Sequence, residues 1–102
     1  FMILIEEFNN KKYHFLGSDV EEAILSHPQL SFVIEKDKEK VDLFIMKNEE
    51  VVGHSYFYED KNFMDIGYIE VHEDFQRQGL ASLMFKIIER LFNKKLENHD
   101  LV

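Results

Sequence analysis

The stretch FQRQGLAS, residues 75–82, combines residue types that suit the binding of an anion. Gly79 lets the backbone approach a ligand without a Cβ in the way, and Ala81 keeps the next turn thin. Arg77 adds a charged hydrogen-bond donor. A helix that begins here would also present its unpaired first N–H groups, which suit a phosphate group. The alternative interpretation is an ordinary strand-to-helix turn with a surface arginine.

The segments on both sides of this stretch predict the elements that position it. The preceding residues, 62–71, are rich in aromatic and β-branched types and predict a strand. From Leu80 the apolar residues recur at every third or fourth position, which predicts an amphipathic helix over 80–95. We expect its apolar stripe to pack in the core; the stripe consists of Leu80, Leu83, Met84, Ile87, Ile88, Leu91 and Phe92.

The middle of the chain contains three more runs of strand-forming residues, over 30–35, 40–47 and 50–59. Short polar turns separate these runs from one another and from 62–71, so we predict an antiparallel meander. No repeat, low-complexity tract or linker divides the sequence. We therefore expect one domain over residues 2–102.

The N-terminal part predicts two strands and a short helix. The strands are expected over 2–8 and at YHFLG, residues 13–17, with a turn at NNKK between them. Ser18 and Glu21 have the spacing of a capping box, which predicts a helix from Asp19 to Ser26.

The charge balance and the absence of cysteine exclude several functions. Twenty acidic against twelve basic residues give a formal net charge of −8, with no basic face, so we expect no nucleic-acid partner. An acidic surface instead favours a cationic substrate such as an amine. The lack of cysteine excludes a thiolate nucleophile and a disulfide framework, and we expect a cytoplasmic protein.

Neither a membrane nor a metal is expected as a partner. The apolar residues MILI at the start are followed by Glu6 and Glu7, too early for a signal peptide or a spanning helix. The five histidines are scattered without the spacing of metal ligands.

The segment YIEVHEDFQRQGLASLMFKIIERL, residues 68–91, resembles the acetyl-CoA signature of the GNAT N-acetyltransferase superfamily. In that signature a strand ends in valine and often histidine, and Q/R-x-x-G-x-G/A then opens an amphipathic helix. Gln76, Gly79 and Ala81 fill the three defining positions. Glu73 departs from the proline that the family often has there.

This resemblance implies an α/β fold with a GNAT-like mixed, largely antiparallel sheet and helices on both faces. The helix over 80–95 would cover one face and the helix over 19–26 the other. It also implies acetyl-CoA as co-substrate, with backbone groups of Ile69 and Val71 facing the pantetheine arm. The pyrophosphate would be held by the N–H groups of Gln76, Arg77, Gln78, Gly79, Leu80 and Ala81, assisted by Ser82.

Acetyl transfer to an amine also requires a base, because less than about 0.1% of a lysine-like amine is neutral at pH 7. The candidates are Asp65 and Glu70, and the sequence does not choose between them. Strict alternation would put Ile66, Tyr68 and Glu70 on one face of the strand. The other face would then carry Asp65, Gly67, Ile69 and Val71.

The chain departs from the family after the helix, where members usually add strands and a helix with a proton-donating tyrosine. Tyr56, Tyr58 or Tyr68 would have to take that role, or the domain works without it. A small or truncated member of the family could also be a non-catalytic CoA-binding or protein-interaction module. We further expect an unpaired edge on the strand 62–71, which predicts a homodimer whose second subunit helps to form the wall of the acetyl site. The alternative is a monomer in which ENHDLV, residues 97–102, folds over its own edge.

Overall fold

Six strands and two helices make up the fold in a computed structural model that describes residues 2–4 and 13–98. The strands are β1 (Met2–Leu4), β2 (Leu30–Asp37), β3 (Lys40–Lys47), β4 (Glu50–Glu59), β5 (Phe63–Val71) and β6 (Lys95–Glu97). The helices are α1 (Ser18–Leu25) and α2 (Leu80–Phe92), with 3-10 turns at Tyr13–Leu16 and Glu73–Phe75. The predicted turn at NNKK and the rest of the first predicted strand lie outside the described residues.

The strands follow one another across a single sheet in the order of the sequence, from β1 to β6. All neighbours are antiparallel except β5 and β6, which are parallel because α2 connects them. The α/β class and the mixed, largely antiparallel sheet are therefore confirmed. Neither helix of the described residues is long and apolar enough to cross a membrane.

The hydrophobic core lies between the sheet and α2. Alternate residues of β3 and β4 are fully buried, among them Leu43 and Phe57, and they pack with Met84 and Ile87 of the helix. The one buried polar side chain in the described core, Ser55, donates its hydroxyl to the sulfur of Met84 at 3.3 Å. The predicted apolar stripe of the helix does face the core.

Helix α1 lies beside α2 on the same face of the sheet, so the expectation of helices on opposite faces is wrong. The guanidinium of Arg90 donates to the carbonyl of Leu16 at 2.9 Å and to both carboxylate oxygens of Asp19. Val20 and Ile24 of α1 are buried in the same core as α2. The opposite face of the sheet carries partly exposed aromatic and acidic side chains, and no helix of the described residues covers it.

The segment before α1 also differs from its prediction. Tyr13–Leu16 is a 3-10 turn rather than a strand, and its Leu16 is buried in the core. The helix cap is Gly17, with φ +101°, and Ser18 is already the first helical residue without a capping hydrogen bond. A positive φ is open to glycine at little cost, which explains why the helix begins one residue earlier than the capping pattern indicates.

At the other end of the domain, α2 ends at Phe92 instead of residue 95, because Asn93 takes a left-handed conformation.

Strand β6 covers only the beginning of the outer edge of β5. Its three residues pair in parallel with Phe63, Met64 and Asp65. Among the described residues, no strand pairs with this edge beyond Asp65. Part of the edge is thus closed within one chain, and the homodimer stays a prediction.

Candidate functional site

The connection between β5 and α2 is held by local hydrogen bonds at the end of the strand. His72 caps the 3-10 turn that follows β5, and its Nδ1 accepts from the N–H of Asp74 at 3.2 Å. Gln76 then reaches back, and its side-chain amide donates to the carbonyl of Val71 at 2.9 Å. The loop is therefore fixed to the last residue of the strand.

Two left-handed residues follow within the loop, Arg77 with φ +66° and Gly79 with φ +76°. For a residue other than glycine this conformation costs about 1 kcal/mol or more, and such strain is often kept at functional sites. A Cβ built on Gly79 would meet no atom within 4 Å, so the space in front of this backbone is open. The loop therefore forms a shallow cradle before the helix.

The N-terminus of α2 carries no negative charge of its own. Its cap, Gly79, makes no side-chain hydrogen bond, and the first turn contains no acidic residue. The N–H of Leu83 donates to the carbonyl of Gly79 at 2.9 Å, which leaves the N–H groups of the preceding turn without helical acceptors. These groups and the positive end of the helix dipole suit an anion such as a phosphate.

A groove of about 500 Å³ runs from this helix end along the end of β5. The predicted binding residues that line it are Ile69, Val71, Gln76, Arg77, Gly79, Leu80, Ala81 and Ser82, joined by Glu70 and Phe75. Gln78 does not line the groove and instead faces the opposite side of the loop, near Phe75 and Lys47. The structure thus brings together all the predicted binding residues except Gln78.

The outer edge of β5 supplies backbone groups to the same groove. The N–H of His72 donates to the carbonyl of Val52 on β4 at 2.8 Å. Backbone direction alternates along a strand, so Glu70 also points its backbone groups toward β4, whereas those of Ile69 and Val71 point away from it. These two residues are the ones expected to face a pantetheine arm.

A β-bulge in β5 changes which side chains share a face. The pairing with β4 passes from Tyr56 opposite Tyr68 to Phe57 opposite Ile66, which leaves Gly67 without a partner. A Cβ at Gly67 would lie 2.7 Å from Cδ1 of the Tyr56 ring, so only glycine fits there without displacing that ring.

The face assignment from strict alternation is therefore wrong. Ile66, Ile69 and Val71 all pack against the core, on the side of the helices. Asp65, Tyr68 and Glu70 share the uncovered face, because the extra residue at 67 reverses the alternation at the middle of the strand. Both carboxylates proposed as the base are thus on one face.

Glu70 is the candidate base that reaches the groove. It also lines a second, smaller pocket of about 190 Å³ on the uncovered face, together with His54, Tyr68 and His72. The hydroxyl of Tyr68 donates to the carboxylate of Glu70. This hydrogen bond raises the pKa of the Tyr68 phenol above its usual value.

Asp65 lies at the other end of the strand, opposite Tyr58 on β4 and Glu97 on β6. Glu70 lies opposite His54, so four residues of β4, about 13 Å, separate the two positions. Asp65 lines neither the groove nor the pocket beside Glu70.

The sequence analysis did not predict that His54 lines the pocket beside Glu70. His54 stacks on Phe44 with ring centroids 4.4 Å apart, and its Nε2 lies 2.8 Å from Oδ1 of Asp42. A signal was present in the alternation of His54, Tyr56 and Tyr58 along β4, which puts three rings on one face. Within the described residues, no group of three or more histidine and acidic side chains is placed to hold a metal ion.

The fold and the groove define an α/β domain in which a strand, a glycine loop and a helix end form a groove that suits an anion. A family model described as the Acetyltransferase (GNAT) family matches residues 3–101 of the chain. The chain therefore belongs to this family of acyltransferases, whose members generally use acetyl-CoA and an acceptor substrate. A search of curated proteins found no match.

Proposed function

We propose that this protein transfers an acetyl group from acetyl-CoA to a primary amine. The observation that carries the proposal is the position of Glu70, which lines both the groove at the helix end and the pocket on the uncovered face. A carboxylate shared by two pockets can act on a molecule that enters one of them while a second molecule occupies the other. Family membership supports acyl transfer as the reaction class.

The residues of the groove fit a CoA thioester. The N–H groups at the start of α2, the open cradle at Gly79 and the side chain of Arg77 suit a pyrophosphate. The outward backbone groups of Ile69 and Val71 suit the amides of a pantetheine arm, and the exposed lining between them is largely apolar. Bound acetyl-CoA would supply the acetyl group as an activated thioester.

We assign to Glu70 the role of the base that accepts the proton of the incoming amine. The amine must lose a proton in order to attack, and a carboxylate at the pocket can accept it. Tyr68, whose hydroxyl contacts this carboxylate, is the tyrosine best placed for a proton-donating role. Tyr56 and Tyr58 lie farther along the uncovered face, toward Asp65.

The test is the rate of acetyl transfer to a panel of primary amines, measured for the parent protein and for Glu70→Gln. We expect Glu70→Gln to lower kcat by roughly 10²- to 10⁴-fold, because it removes the general base but keeps the shape of the side chain. Its stabilisation by acetyl-CoA in a thermal melt should be unchanged. Glu73→Gln is the matched control, since Glu73 is exposed and lines neither pocket.

Two results would count against the proposal. An unchanged rate for Glu70→Gln at every pH from 6 to 9 would mean that solvent takes the proton and that the assignment of the base is wrong. Stabilisation by acetyl-CoA without transfer to any amine would instead favour the alternative of a non-catalytic CoA-binding module.

A further inference from the structure

The uncovered face of the sheet carries a continuous strip of aromatic rings that ends at Glu70. Tyr56 stacks on Tyr68 with centroids 5.5 Å apart and an interplanar angle of 19°. Tyr58 meets Tyr56 edge-on at 5.8 Å, and His54 lies 5.7 Å from Tyr68. Tyr58 and Tyr68 remain 41% and 38% exposed, so the strip is accessible to a ligand.

An acidic side chain lies at each end of this strip. Glu70 is opposite His54, and Asp65 is opposite Tyr58, about 13 Å farther along the sheet. The bulge at Gly67 is the reason why both carboxylates share the face with the rings. Without the extra residue, Asp65 would point to the opposite face from Glu70.

The strip already binds a cation within the protein. The ammonium group of Lys40 lies over the ring of Tyr56, 4.6 Å from its centroid. An ammonium over the face of a tyrosine is attracted by the electron density of the ring. The same ring faces would accept the ammonium and methylene groups of a ligand.

From these observations we infer that the acceptor is a long linear polyamine. One terminal amine lies at Glu70, the methylene chain lies over Tyr56 and Tyr68, and a distal ammonium lies at Asp65. Asp65 is thus a specificity-determining residue and not the base. The inference rests on the proposed function for the reacting end at Glu70, whereas the binding mode stands on the rings and the two carboxylates.

A polyamine fits this face better than a lysine-rich peptide does. The backbone hydrogen bonds of a sheet lie in its plane, so a peptide laid across the face has no main-chain partners there. Its amides would lose water against the rings without compensation. A polyamine has no amides, and its charges and methylenes match the carboxylates and the rings.

The test compares terminal diamines of butane and decane, which have equal charge and different reach, in titrations followed by amide shifts in NMR spectra. The titrations contain no acetyl-CoA and are done at low ionic strength, since salt screens exposed charges. For the parent protein we expect the decane diamine to bind more tightly and to shift the amides of Tyr56, Asp65, Tyr68 and Glu70.

Two variants should change this affinity in opposite directions. Asp65→Asn should weaken binding of the decane diamine about three- to fivefold and leave the butane diamine unaffected, because the short chain cannot span both carboxylates. Lys40→Met should strengthen binding about twofold or more, since it frees the Tyr56 ring and removes a positive charge. Asp37→Asn, an exposed residue at the end of β2, is the control with the same net charge as Asp65→Asn.

The outcomes separate this inference from the proposed function. Equal weakening by Asp65→Asn and Asp37→Asn, or shifts spread over the whole surface, would mean that the diamine only responds to the net charge of −8 and would overturn the inference. Tighter binding of a tetralysine peptide than of the decane diamine would overturn it as well. Transfer to short amines with no effect of Asp65→Asn would overturn it and leave the transferase intact. Diamine binding that depends on Asp65 would support it even if no transfer occurred.

Discussion

The two helices of this protein begin in similar ways but differ in what lies in front of them. Both α1 and α2 are capped by a glycine with positive φ, Gly17 and Gly79, and neither has a side-chain capping bond. At α1 the first turn contains Asp19 and Glu21, and the guanidinium of Arg90 lies against Gly17. At α2 the first turn has no acid, and the space beside Gly79 is open.

This difference indicates which helix end is available to a ligand. Acidic side chains in the first turn satisfy the positive end of the α1 dipole from within the protein. Its glycine allows the close approach of Arg90, which joins the two helices. At the α2 end the first N–H groups have no helical acceptors, and the space beside Gly79 is open. The same residue type therefore allows close packing at one helix and leaves open space at the other.

The largest effect is expected from Gly79→Glu. Acetyl-CoA at 100 times its Kd should stabilise the parent by about 2.7 kcal/mol, which raises the Tm by several degrees. A glutamate at 79 would place a side chain and a negative charge at the pyrophosphate position, so this increase should vanish. The measurement is a thermal melt with and without acetyl-CoA; an increase that survives in the variant would contradict the anion site.

A smaller effect, on stability alone, is expected when the glycine that caps each helix is replaced by alanine. Gly17→Ala should lower the free energy of unfolding by about 1–3 kcal/mol, because its Cβ would overlap Nη1 of Arg90 at a strained φ. In Gly79→Ala the new Cβ would meet no neighbouring atom, so the free energy of unfolding should fall only by the cost of the strained backbone. Denaturant titration measures both. If both variants lost the same free energy of unfolding, the overlap with Arg90 would contribute nothing to the effect of Gly17→Ala.

The smallest effect concerns pH at the α1 end. The hydrogen bond from Arg90 lowers the pKa of Asp19 well below its usual value, so the contribution of this pair is present above the unfolded pKa of about 3.9. It is lost as the pH falls through the depressed folded value. The Tm difference between the parent and Asp19→Asn should be constant from pH 7 to 5 and shrink below about pH 4. A difference that is as large at pH 2 as at pH 7 would point to lost packing instead of lost charge.

Much of the fold could be predicted because its signals are local. Two-residue turns with left-handed Lys38 and Asn48 join β2, β3 and β4, and the strand-forming runs between them are easily recognised. The helical period of α2 and the glycine loop before it also lie within one short segment. The residues that line the groove could therefore be found from the sequence, although Gln78, also a predicted binding residue, does not line it.

The errors concern features that depend on distant contacts. The pattern of α1 shows which side of the helix is buried but not which face of the sheet it covers. The contacts that hold it beside α2 are distant in sequence, and one of them joins Asp19 to Arg90, 71 residues away. The faces of β5 depend on the bulge at Gly67, where the ring of Tyr56 on β4 excludes a side chain. A glycine inside a strand suggests a bulge but does not establish one. Because the bulge could not be predicted, Asp65 could not be assigned to the uncovered face from the sequence.

The sequential strand order has a consequence for how the chain folds. From β2 to β5 every pairing joins segments that are neighbours along the chain, so each hairpin requires the closure of only a short loop. The contact of α1 with α2 instead joins residues more than 70 positions apart. Long-range contacts lose more chain entropy before they gain stability, which slows their formation. The meander with its aromatic strip is therefore expected to form first, and docking of α1 onto α2 is expected to complete the core.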